Sequence, residues 1–167
     1  AARAGKAQGR VEVFADGAVY CRGERIVAVG RTKDVLRKHP QARQAKKVIY
    51  ASGHAVLPGL VDCHAHPVFA GDRSDEYALR LAGKSYREIL AAGGGILKTV
   101  RHVRAASHVE LLASLRARLD AALVLGTTTM EAKSGYGLDE ASERKLLEVI
   151  RRSKHAVDLV PTLLFAH

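Results

Sequence analysis

Apolar and polar positions follow two regimes along this chain. Through residue 56 the apolar residues come in short runs broken by Gly, Pro or charge. Val11–Phe14, Ala18–Cys21, Arg25–Val29, Lys47–Tyr50 and His54–Val56 each predict a short strand. Arg22-Gly23-Glu24 joins the second and third of these, with a glycine available for positive φ. Lys33–Lys38 predicts one short helical turn, stopped at His39-Pro40. Residues 1–10 are Ala, Gly and basic residues without period and read as a disordered lead-in.

From Leu60 the pattern alternates between strand and helix, the signature of parallel βα units. Leu60–Cys63 predicts a buried strand. Ser85-Tyr86-Arg87-Glu88 has capping-box form and opens a short helix through Ala92, ended by the glycines at 93–95. Ser107-His108-Val109-Glu110 opens a longer helix, whose Leu111, Leu112, Leu115, Leu119 and Leu123 form one apolar stripe. Gly126 closes it and Thr127–Ala132 is the next strand. Asp139 N-caps a helix running to about Lys154, with Leu146, Leu147 and Ile150 inward. Leu159–Phe165 is the third strand. The organisation expected is a lead-in at 1–10, a small β domain at 11–56 and an α/β part at 57–167.

Candidate chemistry gathers where these strands end. In Leu57-Pro58-Gly59-Leu60-Val61-Asp62-Cys63-His64-Ala65-His66 an apolar run closes on two histidines spaced i, i+2. Alternate residues of a strand share a face, so two imidazoles could converge on one divalent cation at about 2.0–2.1 Å. Spacing alone also admits two solvated histidines after a strand. Lys133–Tyr136 and His167 fall at the ends of the other two strands, which makes one shared site more credible than three unrelated features. Lys133 admits two readings, a carbamylated lysine of a two-metal site and one half of a structural ion pair with Glu131 or another residue as its partner, the second being preferred. Asp72, Asp75 and Glu76 read as exposed neighbours of Arg73, and His39, His54, His102, His108 and His155 as solvated. The glycines at 93–95 lack the Lys-Ser/Thr ending of a phosphate loop and suit a mobile lid better.

The decamer at 57–66 resembles the end of the first barrel strand in the amidohydrolase superfamily. Pro67-Val68-Phe69-Ala70-Gly71-Asp72-Arg73, Ala91-Ala92-Gly93-Gly94-Gly95-Ile96, Glu131-Ala132-Lys133-Ser134-Gly135-Tyr136-Gly137-Leu138 and Ala166-His167 are similar to segments of the imidazolonepropionases, one of its families. The resemblance implies part of a (β/α)8 TIM-type barrel, with about three strands present, preceded by part of a small β-sandwich. It implies hydrolysis of the cyclic amide of 4-imidazolone-5-propanoate to N-formimidoyl-L-glutamate. Carried onto this chain, it makes His64 and His66 metal ligands and Arg73, Tyr136, His167 and Tyr86 substrate-binding residues. The cofactor implied is one divalent metal, zinc or iron, and a homodimer is possible. The remaining ligands and the general base are expected beyond residue 167, so the chain alone is expected to be inactive. Two other readings stay open: another amidohydrolase, such as a cyclic-imide hydrolase or aromatic deaminase, and a non-catalytic basic binding fragment.

Composition narrows these readings. At 167 residues the chain is shorter than the about 250 that an eight-stranded barrel takes, so an N-terminal fragment is expected. The net charge of +10 is concentrated in residues 1–50, which hold 12 Lys and Arg against 4 Asp and Glu. Those charges are scattered and have few aromatics beside them, so a solvated basic face is expected rather than nucleic-acid binding. No apolar run is long enough for a membrane span. Cys21 and Cys63 are too few for a disulfide framework, and Cys63 reads as a small apolar filler. A reducing cytoplasm fits.

Overall fold

A computed structural model describes residues 4–165, which divide between Val56 and Leu57 into two compact units. In the first, Gly5–Ala7 make a single 3-10 turn within the stretch expected to be a disordered lead-in. β1 (Gly17–Arg22) and β2 (Arg25–Arg31) form an antiparallel hairpin, with Gly23 at φ 60° in its two-residue turn. α1 (Thr32–Lys38) follows and packs back on both strands, and Pro40–Gln44 is a 3-10 helix. Thr32 ties the far end of the hairpin, donating its backbone N–H to the Asp16 carbonyl at 2.8 Å and its hydroxyl to the Asp16 carboxylate at 3.1 Å.

Three expected strands do not form. Val11–Phe14, Lys47–Tyr50 and His54–Val56 are extended or turning chain without a ladder. An extended segment with no ladder partner has no sheet face on which to pack its side chains. Val11, Val13, Val48, Ile49, Tyr50 and Val56 are all exposed.

In the second unit, β3 (Leu60–Ala65), β4 (Thr127–Lys133) and β5 (Asp158–Thr162) form a parallel sheet in the order β3-β4-β5. Four helices connect β3 to β4: α2 (Ser74–Leu81), α3 (Tyr86–Ala91), α4 (Ile96–Ala105) and α5 (His108–Val124). α6 (Glu140–Arg152) connects β4 to β5. Both expected capping boxes form: Ser85 and Ser107 accept from the amides of Glu88 and Glu110, whose carboxylates return the bond. Asp139 accepts from Ser142 N and caps α6.

The core lies where α5 and α6 meet one face of the sheet. Leu111, Leu115, Leu119, Leu146, Val149 and Ile150 pack against Met130 and Ala132 of β4. Along β4 these buried residues alternate with Thr129, Glu131 and Lys133, so the opposite face is polar. β5 ends at Thr162, short of the expected Phe165, because Leu164 N turns to the Ser134 hydroxyl at 3.1 Å. Cys63 is exposed rather than a core filler, since β3 is an edge of this sheet. Among the described residues no helix is long and apolar enough to cross a membrane.

Candidate active site

The end of β3 is irregular. Asp62 pairs with Met130 but Ala65 with Ala132, so β3 carries one extra residue between them. Such a bulge bends the strand and re-aims its side chains. The Asp62 carboxylate holds the bulge by accepting His64 N–H at 3.1 Å. The outcome for the two histidines is an edge-to-face pair with ring centroids 5.9 Å apart.

His66 Nδ1 lies 2.8 Å from the Ser134 carbonyl. A carbonyl only accepts, so Nδ1 carries the proton and Nε2 the lone pair. That is the tautomer in which a backbone carbonyl prepares a histidine to ligate through Nε2. Ser134 belongs to the loop after β4, and Tyr136 of the same loop lies against the His66 ring at 5.2 Å between centroids. Phe69 meets Tyr136 edge-on at 6.2 Å. Arg118 stacks on Phe69, 3.4 Å from the ring centroid, and donates to the Pro67 and Phe69 carbonyls at 3.0 Å. Burial pulls the Arg118 guanidinium below its ordinary range. This arginine from α5 thereby pins the segment that follows His66.

Arg73 sits in the loop before α2. Its Nε and Nη2 both reach Glu76 Oε2, at 2.8 and 2.7 Å, while Glu76 Oε1 accepts Gly95 N–H at 3.0 Å. Glu76 is therefore buried and engaged on both oxygens, not the exposed neighbour expected. The Arg73 bond holds its carboxyl below the usual range, outweighing burial, which pushes it up. Glu76 in turn holds the Arg73 guanidinium above its ordinary range, and Tyr86 and Tyr136 lie near enough to add to that effect. Asp75 pairs with Lys98 at 2.7 Å.

The triple glycine is not a loose lid, because Gly94 and Gly95 are buried. Gly95, at φ 70°, is the residue before α4, and a Cβ there would come 2.9 Å from Leu90 and 3.2 Å from the Tyr86 hydroxyl. Tyr86 itself is half exposed.

Lys133 meets Glu131 at 3.3 Å, the structural ion pair expected, and Thr162 donates to the same Glu131 oxygen at 2.9 Å. These contacts keep the Glu131 carboxyl below its ordinary range, Thr162 foremost, with His64 near enough to contribute. His155 is not solvated: Val157 N–H donates to its Nδ1, so Nε2 carries the proton and donates to Asp120 at 3.0 Å.

His64 at the end of β3, His66 just after it and Tyr136 in the loop after β4 thus lie together, with Arg73 in the loop before α2 and Tyr86 at the start of α3 linked to them through the charge effects on Arg73. His167 lies outside the described residues. Among the described residues no group of three His, Cys, Asp or Glu side chains is placed to hold a metal, so the histidine pair offers two nitrogens where a catalytic zinc takes three protein ligands. Glu76, Ser134 and Arg118 act on this neighbourhood without having been singled out in the sequence for it. A buried glutamate near a helix start reads as dipole-complementing, and only its contacts reveal more.

Comparison with known proteins bears on this neighbourhood. A family model described as imidazolonepropionase-like composite domain, bacteria, matches residues 17–42. Imidazolonepropionase of Halobacterium salinarum is 54% identical over 159 residues, covering 94% of this chain and 38% of the relative. That of Rubrobacter xylanophilus is 50% identical over 165 residues, covering 98% and 40%. That of Chloroflexus aggregans is 49% identical over 167 residues, covering 99% and 38%. The chain spans about two fifths of the length of these curated relatives.

Proposed function

We propose, because this chain belongs to the imidazolonepropionase family, that a polypeptide containing it opens the cyclic amide of 4-imidazolone-5-propanoate to N-formimidoyl-L-glutamate. Water adds at the ring carbonyl and the ring C–N bond breaks. The sheet of β3, β4 and β5, with helices on one face and Glu131 and Lys133 on the other, supports reading this unit as the first three strands of a (β/α)8 barrel. The remaining metal ligands and the general base then come from beyond the described residues.

The observation that carries the reading is that His64 at the end of β3, His66 after it and Tyr136 after the adjacent β4 lie together, with Arg73 near enough to Tyr136 to feel its charge. His64 and His66 would hold one zinc or iron ion, both of which suit imidazole. When bound, such an ion lowers the pKa of water toward about 7 and polarises a carbonyl. The Ser134 carbonyl fits His66 for this, because it fixes the proton on Nδ1 and directs the Nε2 lone pair outward from that bond.

Arg73 would take the substrate's propanoate carboxylate in a charge-assisted pair. Glu76 orients the guanidinium by engaging Nε and Nη2 on one edge. Tyr136 would donate its hydroxyl to the polar ring, and Tyr86 and His167 would complete the substrate contacts. A small polar substrate offers little apolar area, so affinity has to come from such bonds.

The test is turnover by the purified full-length polypeptide. Formation of N-formimidoyl-L-glutamate from enzymatically generated imidazolone propanoate, followed by mass spectrometry, is expected in the wild type. Replacing Arg73 by Ala should raise KM by about 100-fold through loss of a charge-assisted pair. A wild-type protein that processes other cyclic amides but leaves this substrate untouched would overturn the assignment.

A further inference from the structure

We infer that Glu143 is a positioning residue for Tyr136 and His66, acting through the backbone of residues 134–138; the inference rests on the function proposed above. Glu143 is 1% exposed, and both its oxygens are occupied by amides of the loop after β4. Oε2 accepts Gly135 N–H at 2.6 Å; Oε1 accepts Gly137 N–H at 2.6 Å and Leu138 N–H at 3.0 Å. One carboxylate therefore grips the chain on both sides of Tyr136.

The grip requires the residues found there. Gly135 has φ 125°, and Leu138 takes φ 55°, a left-handed conformation that non-glycine residues rarely adopt. At Gly137 a Cβ would come 2.6 Å from Ser142 Cβ and 2.8 Å from Glu143 N, so only glycine lets the loop lie this close to α6. Concentrated backbone strain of this kind persists when surrounding contacts over-determine it. Arg104 supplies a contact from the other side, donating Nε to the Gly137 carbonyl at 2.9 Å. A negative charge in the first turn of α6 also suits the helix dipole.

The loop so held delivers two groups to the candidate site. Ser134 O fixes the His66 tautomer at 2.8 Å, and the Tyr136 ring lies 5.2 Å from the His66 ring. Releasing Glu143 from the backbone amides of Gly135, Gly137 and Leu138 should therefore loosen substrate contact and metal ligation together. A carboxamide cannot replace the carboxylate, because its NH2 would face an N–H donor.

The experiment uses the full-length polypeptide. In metal-free Glu143→Gln, hydrogen exchange at Gly135, Gly137 and Leu138 is expected to accelerate by about tenfold or more, with the amides of α5 unchanged. Zinc affinity should fall about 10-fold, the usual scale for losing support behind a ligand. KM should rise about tenfold with a smaller change in kcat, and Tyr136→Phe combined with Glu143→Gln should be little worse than the poorer single variant. Unchanged loop exchange, or fully additive KM effects, overturns the inference. If Glu143→Gln does not fold, Arg104→Ala loosens the same peptide from its half-exposed outer side. It should raise KM about threefold with kcat retained, and an unchanged KM overturns the inference. Wild-type protein inactive on imidazolone propanoate defeats the functional reading alone, since loop exchange is read without substrate.

Discussion

Residues 4–56 and 57–165 show similar runs of apolar residues in sequence and opposite outcomes in structure. In the first unit Val35 is the one buried apolar side chain among the described residues, while Val48, Ile49 and Tyr50 stand exposed. In the second, Leu111, Leu115, Leu119 and Leu146 are fully buried between two helices and a sheet. The difference is the availability of a second layer. A helix stripe in the second unit meets a sheet face made by nearby segments, whereas an extended run in the first finds no strand to pair with. Apolar pattern states what a segment is able to bury; only a partner surface turns that into structure.

The sharpest way to break this comparison is to truncate one residue from each unit. Leu115→Ala should destabilise the 167-residue chain by about 4 kcal/mol, as expected of a leucine deleted from a closed core. Ile49→Ala should change it by less than about 0.5 kcal/mol, as expected at an exposed site. Urea unfolding followed by circular dichroism reads both. Equal losses at the two positions would mean that the first unit has a packed core after all.

A smaller effect sharpens the account of how α5 begins. Ser107→Ala removes an acceptor from the Glu110 amide and should cost about 1 kcal/mol in the same unfolding assay. The corresponding change at Thr32, whose hydroxyl bonds to Asp16 in an exposed hairpin, should cost less.

The smallest effect concerns pH. Glu76 is held below its ordinary range by Arg73, so its contribution to stability is full above the unfolded value of about 4.3 and is lost as pH falls through the depressed folded value. Glu76→Gln should therefore flatten the acid side of a plot of unfolding midpoint against pH. Parallel curves for the two proteins would show that the Arg73–Glu76 pair carries no such linkage.

Legibility in the sequence follows the same physics. α3, α5 and α6 announce themselves because Ser85, Ser107 and Asp139 cap them with side chains, and α5 adds a leucine stripe. α2 and α4 do not, since Arg73 and Gly95 precede them without a side-chain cap. α2 also inverts the usual pattern by burying Glu76 while Tyr77 and Leu81 face solvent. At the site, His64, His66 and Tyr136 are visible as residues, but the bulge that orients the histidine pair is not. Nor are the carboxylates of Glu76 and Glu143, whose roles depend on amides 19 residues away in one case and around a glycine turn in the other.

Metal content of the full-length polypeptide separates a ligating histidine pair from a merely adjacent one. Wild-type protein should carry about one zinc or iron ion per chain by elemental analysis, and His66→Ala, with unchanged circular dichroism, less than about a tenth of that. Full occupancy retained in a folded His66→Ala protein would contradict the site described here.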